Sequence, residues 1–188
     1  MDKNKLREKY LELRNKLSKQ EVSQKSNEII NKLLNSDMFK SSKSICIYVS
    51  KENEVNTQEL IKELLNSKEK KVIVPKVINE ELTLIQITSF DELKEGYYSV
   101  LEPCITDSRN KVPIKNIDLV VVPTLVFDKQ GYRIGYGKGY YDKLLANFKG
   151  VKIGLCYDAF LVEKIPFQDH DVTMNIVVTE KKIMSYNY

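Results

Sequence analysis

The run Leu119-Val120-Val121-Val122, stopped by Pro123, constrains this chain more than any other segment. Four consecutive apolar residues leave no polar face, so a strand made of them must be covered on both sides. A parallel sheet layered between helices meets that need. Further strands are expected over Ser44 to Ser50, where Ile45, Ile47 and Val49 alternate with Cys46 and Tyr48, and at Val72-Ile73-Val74, ended by Pro75. Leu82 to Thr88, Val151 to Leu155 and Ile176 to Thr179 complete the set.

Helical periods fall between these strands. Leu6, Tyr10, Leu13 and Leu17 step by four, three and four, the stripe of an amphipathic helix. Ser18 with Glu21 reads as a capping box opening a second helix, with Val22, Ile29, Ile30, Leu33 and Leu34 on its apolar face. Leu60, Ile61, Leu64 and Leu65 mark a third helix, Phe90 to Lys94 a short helical piece, and Tyr140 to Phe148 a last helix. The expected fold is α/β, a single domain over residues 1–188, its sheet mostly parallel with helices on both faces. In open sheets of this kind ligands sit at the carboxyl ends of strands. Two loops satisfy that rule, Lys51 to Asn56 and Thr124 to Gly139.

Composition narrows the chemistry. A single histidine, His170, excludes a multi-histidine metal centre, and three cysteines far apart in the sequence exclude a Cys-rich zinc site or a disulfide framework. Cys46 and Cys156 lie in apolar runs and read as buried free thiols, which fits a reducing cytoplasm. The charged start has no secretory pattern, and the longest apolar stretch, Leu119 to Phe127, is far short of the ~20 residues a membrane helix needs. The net charge of +4 comes from lysines interspersed with glutamates, not from a basic stripe. A cytoplasmic protein with neither a nucleic-acid nor a membrane partner is expected, as a monomer or weak homodimer.

Of the seven glycines, four fall between Gly131 and Gly139. Alternate glycines permit positive φ and let successive backbone N–H groups converge on an anion. Arg133 adds a forked donor, Lys138 a point charge, and the helix after Gly139 the positive end of its dipole. Together they read as a phosphate cradle. The segment is neither a Walker loop, since no Ser or Thr follows Lys138, nor a dinucleotide fingerprint, since Tyr140 stands where a third glycine belongs. A plain surface loop is the alternative reading of the same residues.

The pattern Pro123-x-x-x-Phe127-Asp128-x-x-Gly131-x-Arg133-x-Gly135-x-Gly137-x-Gly139-x-Tyr141-Asp142 resembles the signature of the 5-formyltetrahydrofolate cyclo-ligase family. Lys3 to Arg7 resembles that family's N-terminal ATP-contacting segment, Val49 to Thr57 its substrate loop, Leu101-Glu102-Pro103 its mid-chain element, and His170-Asp171 its C-terminal acidic motif. The resemblance implies closure of 5-formyltetrahydrofolate to 5,10-methenyltetrahydrofolate with ATP and Mg²⁺. ATP would be bound by Lys3, Asn4, Lys5, Leu6 and Arg7 and by Arg133, Ile134, Gly135, Tyr136, Gly137, Lys138, Gly139, Tyr140 and Tyr141. The folate would meet Arg7, Val49, Glu54, Tyr136, Gly137, Lys138, Gly139 and Tyr140. Arg133 and Lys138 would act in catalysis, and Asp142 and Asp171 would hold Mg²⁺.

Read without the resemblance, each residue has a plainer role. Asp142 is an acid favouring a helix dipole, Asp171 part of an exposed turn, Glu54 a solvated loop charge, and Arg7 a polar-face residue of the first helix. Lacking tryptophan, the chain must stack flat rings on Tyr132, Tyr136, Tyr140 or Tyr141. Two positions depart from the family pattern: Asn56 where an acid is common, and Tyr98-Ser99-Val100 where a glycine is common. A phosphosugar isomerase or CoA-transferase-like enzyme on a similar scaffold, or an RNA-binding module using the basic loop, are the competing functions.

Overall fold

The computed structural model describes residues 2–96, 100–104 and 107–186. Five α-helices are present among the described residues: α1 (Lys3–Asn15), α2 (Lys19–Asn35), α3 (Asp37–Ser41), α4 (Gln58–Ser67) and α5 (Tyr140–Leu145). The first strands are β1 (Ser44–Ile47), β2 (Lys71–Ile78), β3 (Glu81–Ile87), β4 (Leu93–Glu95) and β5 (Leu101–Pro103). Then come β6 (Leu119–Pro123), β7 (Val126–Asp128), β8 (Arg133–Ile134), β9 (Val151–Leu155), β10 (Leu161–Val162), β11 (Ile176–Val178) and β12 (Ile183–Ser185).

Seven strands form the central sheet in the order β12-β11-β9-β6-β1-β2-β3. Its five inner strands run parallel, while β3 and β12 are antiparallel edges. From β1 the chain crosses through α4 to β2 on one side, and from β6 through α5 to β9 on the other. Helix α4 packs on β2, and α5 reaches β3. β6 lies at the centre, with Leu119, Val120, Val121 and Val122 all fully buried. Its apolar run is therefore satisfied in the way its composition demands.

Local expectations are met in most places and corrected in four. The Ser18–Glu21 capping box is formed in both directions. Strand β2 does not stop at Pro75 but runs to Ile78. Past Ile73 it has left its register with β1 and pairs only with β3, so a residue lacking an N–H is tolerated on the open edge. Helix α5 ends at Leu145, not Phe148; the Phe148 N–H bonds the Leu145 carbonyl three residues back, a tighter turn that still buries the ring. The piece at Phe90 is a single 3-10 turn over Phe90–Glu92 that gives way to β4.

The fourth correction concerns α1. Leu13 is 39% exposed, whereas Arg14 is only 3% exposed. Lys3, Arg7, Tyr10 and Arg14 also step by four, three and four, and at 3.6 residues per turn they share an arc of about 60°. That arc faces the body of the protein, rotated from the leucine stripe.

Cys46 and Cys156 are buried free thiols and Cys104 is exposed. Burial pushes the Cys46 thiol up to about 12, leaving it an inert core residue. No described helix is long and apolar enough to cross a membrane.

Candidate active site

Among the inner strands β2-β1-β6-β9-β11, chain order reverses between β1 and β6, the topological switch point of an open α/β sheet. The loops that leave these two adjacent strands are the two singled out above, and each is held rigidly. After β1, Ser50 and Thr57 bond each other reciprocally: the Ser50 N–H donates to Thr57 Oγ1 at 3.1 Å and the Thr57 N–H to Ser50 Oγ at 3.0 Å. Asn53 donates its amide to the Arg14 carbonyl at 3.0 Å, pinning the loop to the end of α1. Asn56 accepts from the Gln58 N–H at 2.9 Å and so caps α4 from one residue outside the helix, where Thr57 makes no side-chain cap. An acid is thus not needed there for loop geometry. Tyr98 and Ser99 lie outside the described residues.

Glu54 is not the solvated charge its surroundings in sequence suggest: it is 7% exposed. Oε2 accepts from the Lys51 N–H at 3.0 Å, and Oε1 lies 3.9 Å from the Arg14 guanidinium. Burial pushes its carboxyl above the ordinary 4.5, against the pull of the Lys51 N–H, Arg14, the Tyr136 hydroxyl and the Lys51 ammonium. Arg14 also donates to the Tyr136 hydroxyl at 2.5 Å. Arg14 was legible only as one arginine among four; the four-three-four spacing that it shares with Lys3, Arg7 and Tyr10 is the signal that would have found it.

After β6 the chain folds as the hairpin of β7 and β8, not as an irregular loop, and β10 joins β7 to make a small three-stranded sheet. Asp128, 1% exposed, accepts from the N–H groups of Gln130, Tyr132 and Ile165. Its place in the Phe-Asp motif is structural. Phe127 packs over Gly154 of β9 so closely that no Cβ fits there, which locks the hairpin to the central sheet.

Beyond β8 lie the remaining glycines. Gly137 and Gly139 take φ of +92° and +68°, the left-handed region that disfavours other residues. A Cβ on Gly137 would also fall 2.9 Å from the Arg7 guanidinium carbon. Arg7 in turn donates from Nε to the Gly135 carbonyl at 2.9 Å, so α1 braces the loop from within. Gly135 differs: its φ is ordinary and a Cβ there meets nothing. Neither strain nor packing explains that glycine. If a ligand approaches this backbone, Gly135→Ala should leave the melting temperature unchanged and weaken ligand binding; a fall in stability with unaltered binding would assign the position to folding.

The charged candidates divide into buried and open groups. Arg133, with a side chain 5% exposed, closes its fork on Asp142 at 2.9 Å and on the Val172 carbonyl at 2.7 Å. Burial pulls its pKa down, opposed by the Asp142 charge. The fork does not open onto the outer side of the loop. Lys138 is exposed and makes no ion pair among the described residues. Lys3 pairs with Asp171, whose carboxyl is held below its ordinary value: the Lys3 and Gln168 bonds outweigh the upward push of burial. His170 is exposed beside it.

Asp142 and Asp171 are tied together by the backbone, since the Val172 N–H donates to Asp142 Oδ1 at 3.1 Å. Asp142 Oδ2 and Asp171 Oδ1 have no hydrogen-bond partner among the described residues, so each acid keeps an oxygen for a cation. No group of three or more His, Cys, Asp or Glu suited to a metal occurs among those residues. Two part-occupied carboxylates fit Mg²⁺, which takes one or two such ligands and completes its shell with water and phosphate oxygens.

The tyrosines are also sorted. Tyr132 stacks on Phe167, centroids 4.3 Å apart, so one of its faces is taken. Burial raises the Tyr141 hydroxyl well above its ordinary value. Tyr136 is 45% exposed, with the Lys51 ammonium 4.9 Å and the Arg14 guanidinium 5.4 Å from its ring centroid. Val49, expected within a strand running to Ser50, lies two residues beyond the end of β1 and is 6% exposed.

Comparison with known proteins gives one answer. The profile of the 5-formyltetrahydrofolate cyclo-ligase family matches residues 1–180. The 5-formyltetrahydrofolate cyclo-ligase of Escherichia coli K12 is 30% identical over 150 residues, covering 76% of this chain and 81% of that protein. A probable cyclo-ligase of Caenorhabditis elegans is 26% identical, covering 98% and 96%. The solution structure of Aquifex aeolicus 5,10-methenyltetrahydrofolate synthetase superposes with a TM-score of 0.87 at 36% identity, over 98% of this chain and 93% of that one. The Mycoplasma pneumoniae synthetase gives a TM-score of 0.78 at 27% identity, over 96% and 99%. With its signature, fold and switch-point loops in agreement, this chain belongs to the 5-formyltetrahydrofolate cyclo-ligase family.

Proposed function

We propose that the chain converts 5-formyltetrahydrofolate to 5,10-methenyltetrahydrofolate, consuming one ATP per ring closed. The observation that supports it most is the meeting, at one switch point, of a buried carboxylate and an open glycine loop. Glu54 offers acceptors to the donor edge of a reduced pterin, and the loop offers backbone donors and Lys138 to a triphosphate. The γ-phosphoryl group passes to the formyl oxygen, releasing ADP. N10 then attacks the formyl carbon, loses its proton, and phosphate departs with the former formyl oxygen.

Such transfer is promoted by positioning and charge neutralisation. Lys138 is the cation free to follow the transferring phosphoryl oxygens. Arg133 is a positioning residue: it orients Asp142 and the Val172 backbone. Arg7 braces the loop and would contact both ligands, and the segment from Lys3 to Arg7 would line the ATP side. Asp142 and Asp171 would hold Mg²⁺, which when bound neutralises phosphate charge.

The test is direct. Purified protein with 5-formyltetrahydrofolate and MgATP should develop the absorbance of the conjugated methenyl product, with one ADP and one phosphate per turnover. Chelation of the metal should stop turnover yet leave the melting temperature unchanged, since Lys3 and Arg133 already pair the two acids. Full-rate product formation without ATP would overturn the reading.

A further inference from the structure

A cavity of about 10 Å³, room for one water molecule, lies behind Tyr136 and is lined by Arg14, Glu54, Pro123, Thr124, Leu125, Gly135 and Tyr136. Among the described residues two buried side-chain polar atoms lack any hydrogen-bond partner: Arg14 Nε and Thr124 Oγ1. Both residues line this one cavity. Buried polar groups are almost always satisfied, and an orphaned one costs stability unless something else completes it. Two orphans at one small cavity, one of them on a 97%-buried cation, indicate a place prepared for an oxygen acceptor.

We infer that Arg14 and Thr124 form a recognition subsite for the C4 carbonyl oxygen of the pterin ring, an inference that rests on the folate reading. The edge of a reduced pterin presents, in order, the 2-amino group, N3–H and the C4 carbonyl: two donors, then an acceptor. Glu54 accepts from the first two. Arg14, whose terminal nitrogens lie toward Glu54 and Tyr136, has its Nε–H left over for the third, and the Thr124 hydroxyl donates to the same oxygen. The Tyr136 ring, half-exposed over the cavity, must give way for the pterin edge to enter. The subsite would disfavour a ligand with an amino group at C4, because Arg14 has no acceptor to offer it and such a ring also lacks the N3–H that Glu54 accepts.

Calorimetry without ATP tests this, using 5-formyltetrahydrofolate and its 4-amino-4-deoxy counterpart as probes. The quantity read is the ratio of the two Kd values, so that loss of general affinity cancels. Arg14→Lys keeps a positive charge beside Glu54 but removes the Nε donor, and should shrink the wild-type preference for the oxo form by about tenfold. Thr124→Val keeps the shape, removes only the hydroxyl, and should shrink it about threefold to tenfold. Thr124→Val carries the test alone if Arg14→Lys does not fold. A ratio unchanged in the folded variants overturns the subsite and leaves the function standing. Wild-type protein that does not bind 5-formyltetrahydrofolate at all overturns the folate reading itself.

Discussion

Gly137→Ala should lower kcat/KM on the order of 100-fold while leaving the protein folded. Two independent effects act at that position. At a φ of +92° an alanine Cβ is strained against its own backbone, at a cost of roughly 1–2 kcal/mol. The same Cβ would sit 2.9 Å from the Arg7 guanidinium carbon, so that side chain must move as well. Arg7 holds the Gly135 carbonyl, and its displacement would loosen the loop from α1. A displacement of about 1 Å in a site that works by positioning costs about 100-fold. Steady-state kinetics on Gly137→Ala, Arg7→Ala and the double variant would separate the two effects. Relief of the clash in the double variant should recover none of the φ strain, so its activity should stay below that of Arg7→Ala. Near wild-type kinetics for Gly137→Ala would mean that the loop can be rebuilt without its glycine, and the cradle reading would fail.

What could be read from the sequence was whatever rests on local pattern. The unbroken apolar run of β6, the clustered glycines and the placing of two loops at strand ends are properties of short segments, and the fold retains them. Residues whose roles depend on distant partners were less legible. Arg14 follows Leu13 in the sequence but sits about 100° from it around the helix, and an amphipathic count assigns the interior to leucine; the carboxylate beside the buried arginine, Glu54, comes from a loop that follows another strand. The fork of Arg133 points away from the open loop because Asp142 and the Val172 carbonyl receive it, and Val172 is 39 residues distant. Pro75 looked like a stop because the departure of β1 from its side cannot be read from β2 itself.

Glu54→Gln should raise the Kd for 5-formyltetrahydrofolate on the order of 100-fold, with a melting temperature at pH 7 no lower than that of the wild type. The binding loss follows from exchanging a carboxylate, which accepts two charge-assisted hydrogen bonds, for an amide that accepts one and misdirects a donor. The stability claim comes from the raised carboxyl pKa of Glu54, which burial causes. A folded-state pKa above the unfolded value means that the folded chain binds the proton more tightly. The contribution of this group to stability is therefore greatest below the ordinary value of 4.5 and falls as pH rises through the raised value. Above the raised value the native protein carries an ionised carboxylate where a neutral group would be better tolerated, even with Arg14 beside it. Glutamine mimics the protonated form and should lack that downward slope in a series of thermal melts across pH. Substrate affinity, in contrast, needs the ionised form, so wild-type binding should weaken as pH falls through the same raised value, and the variant should show no such limb. A variant that melts much lower at pH 7, yet binds folate as the wild type does, would make Glu54 a structural counter-ion for Arg14. The opposite pair of results identifies a charge retained at the expense of stability because a ligand requires it.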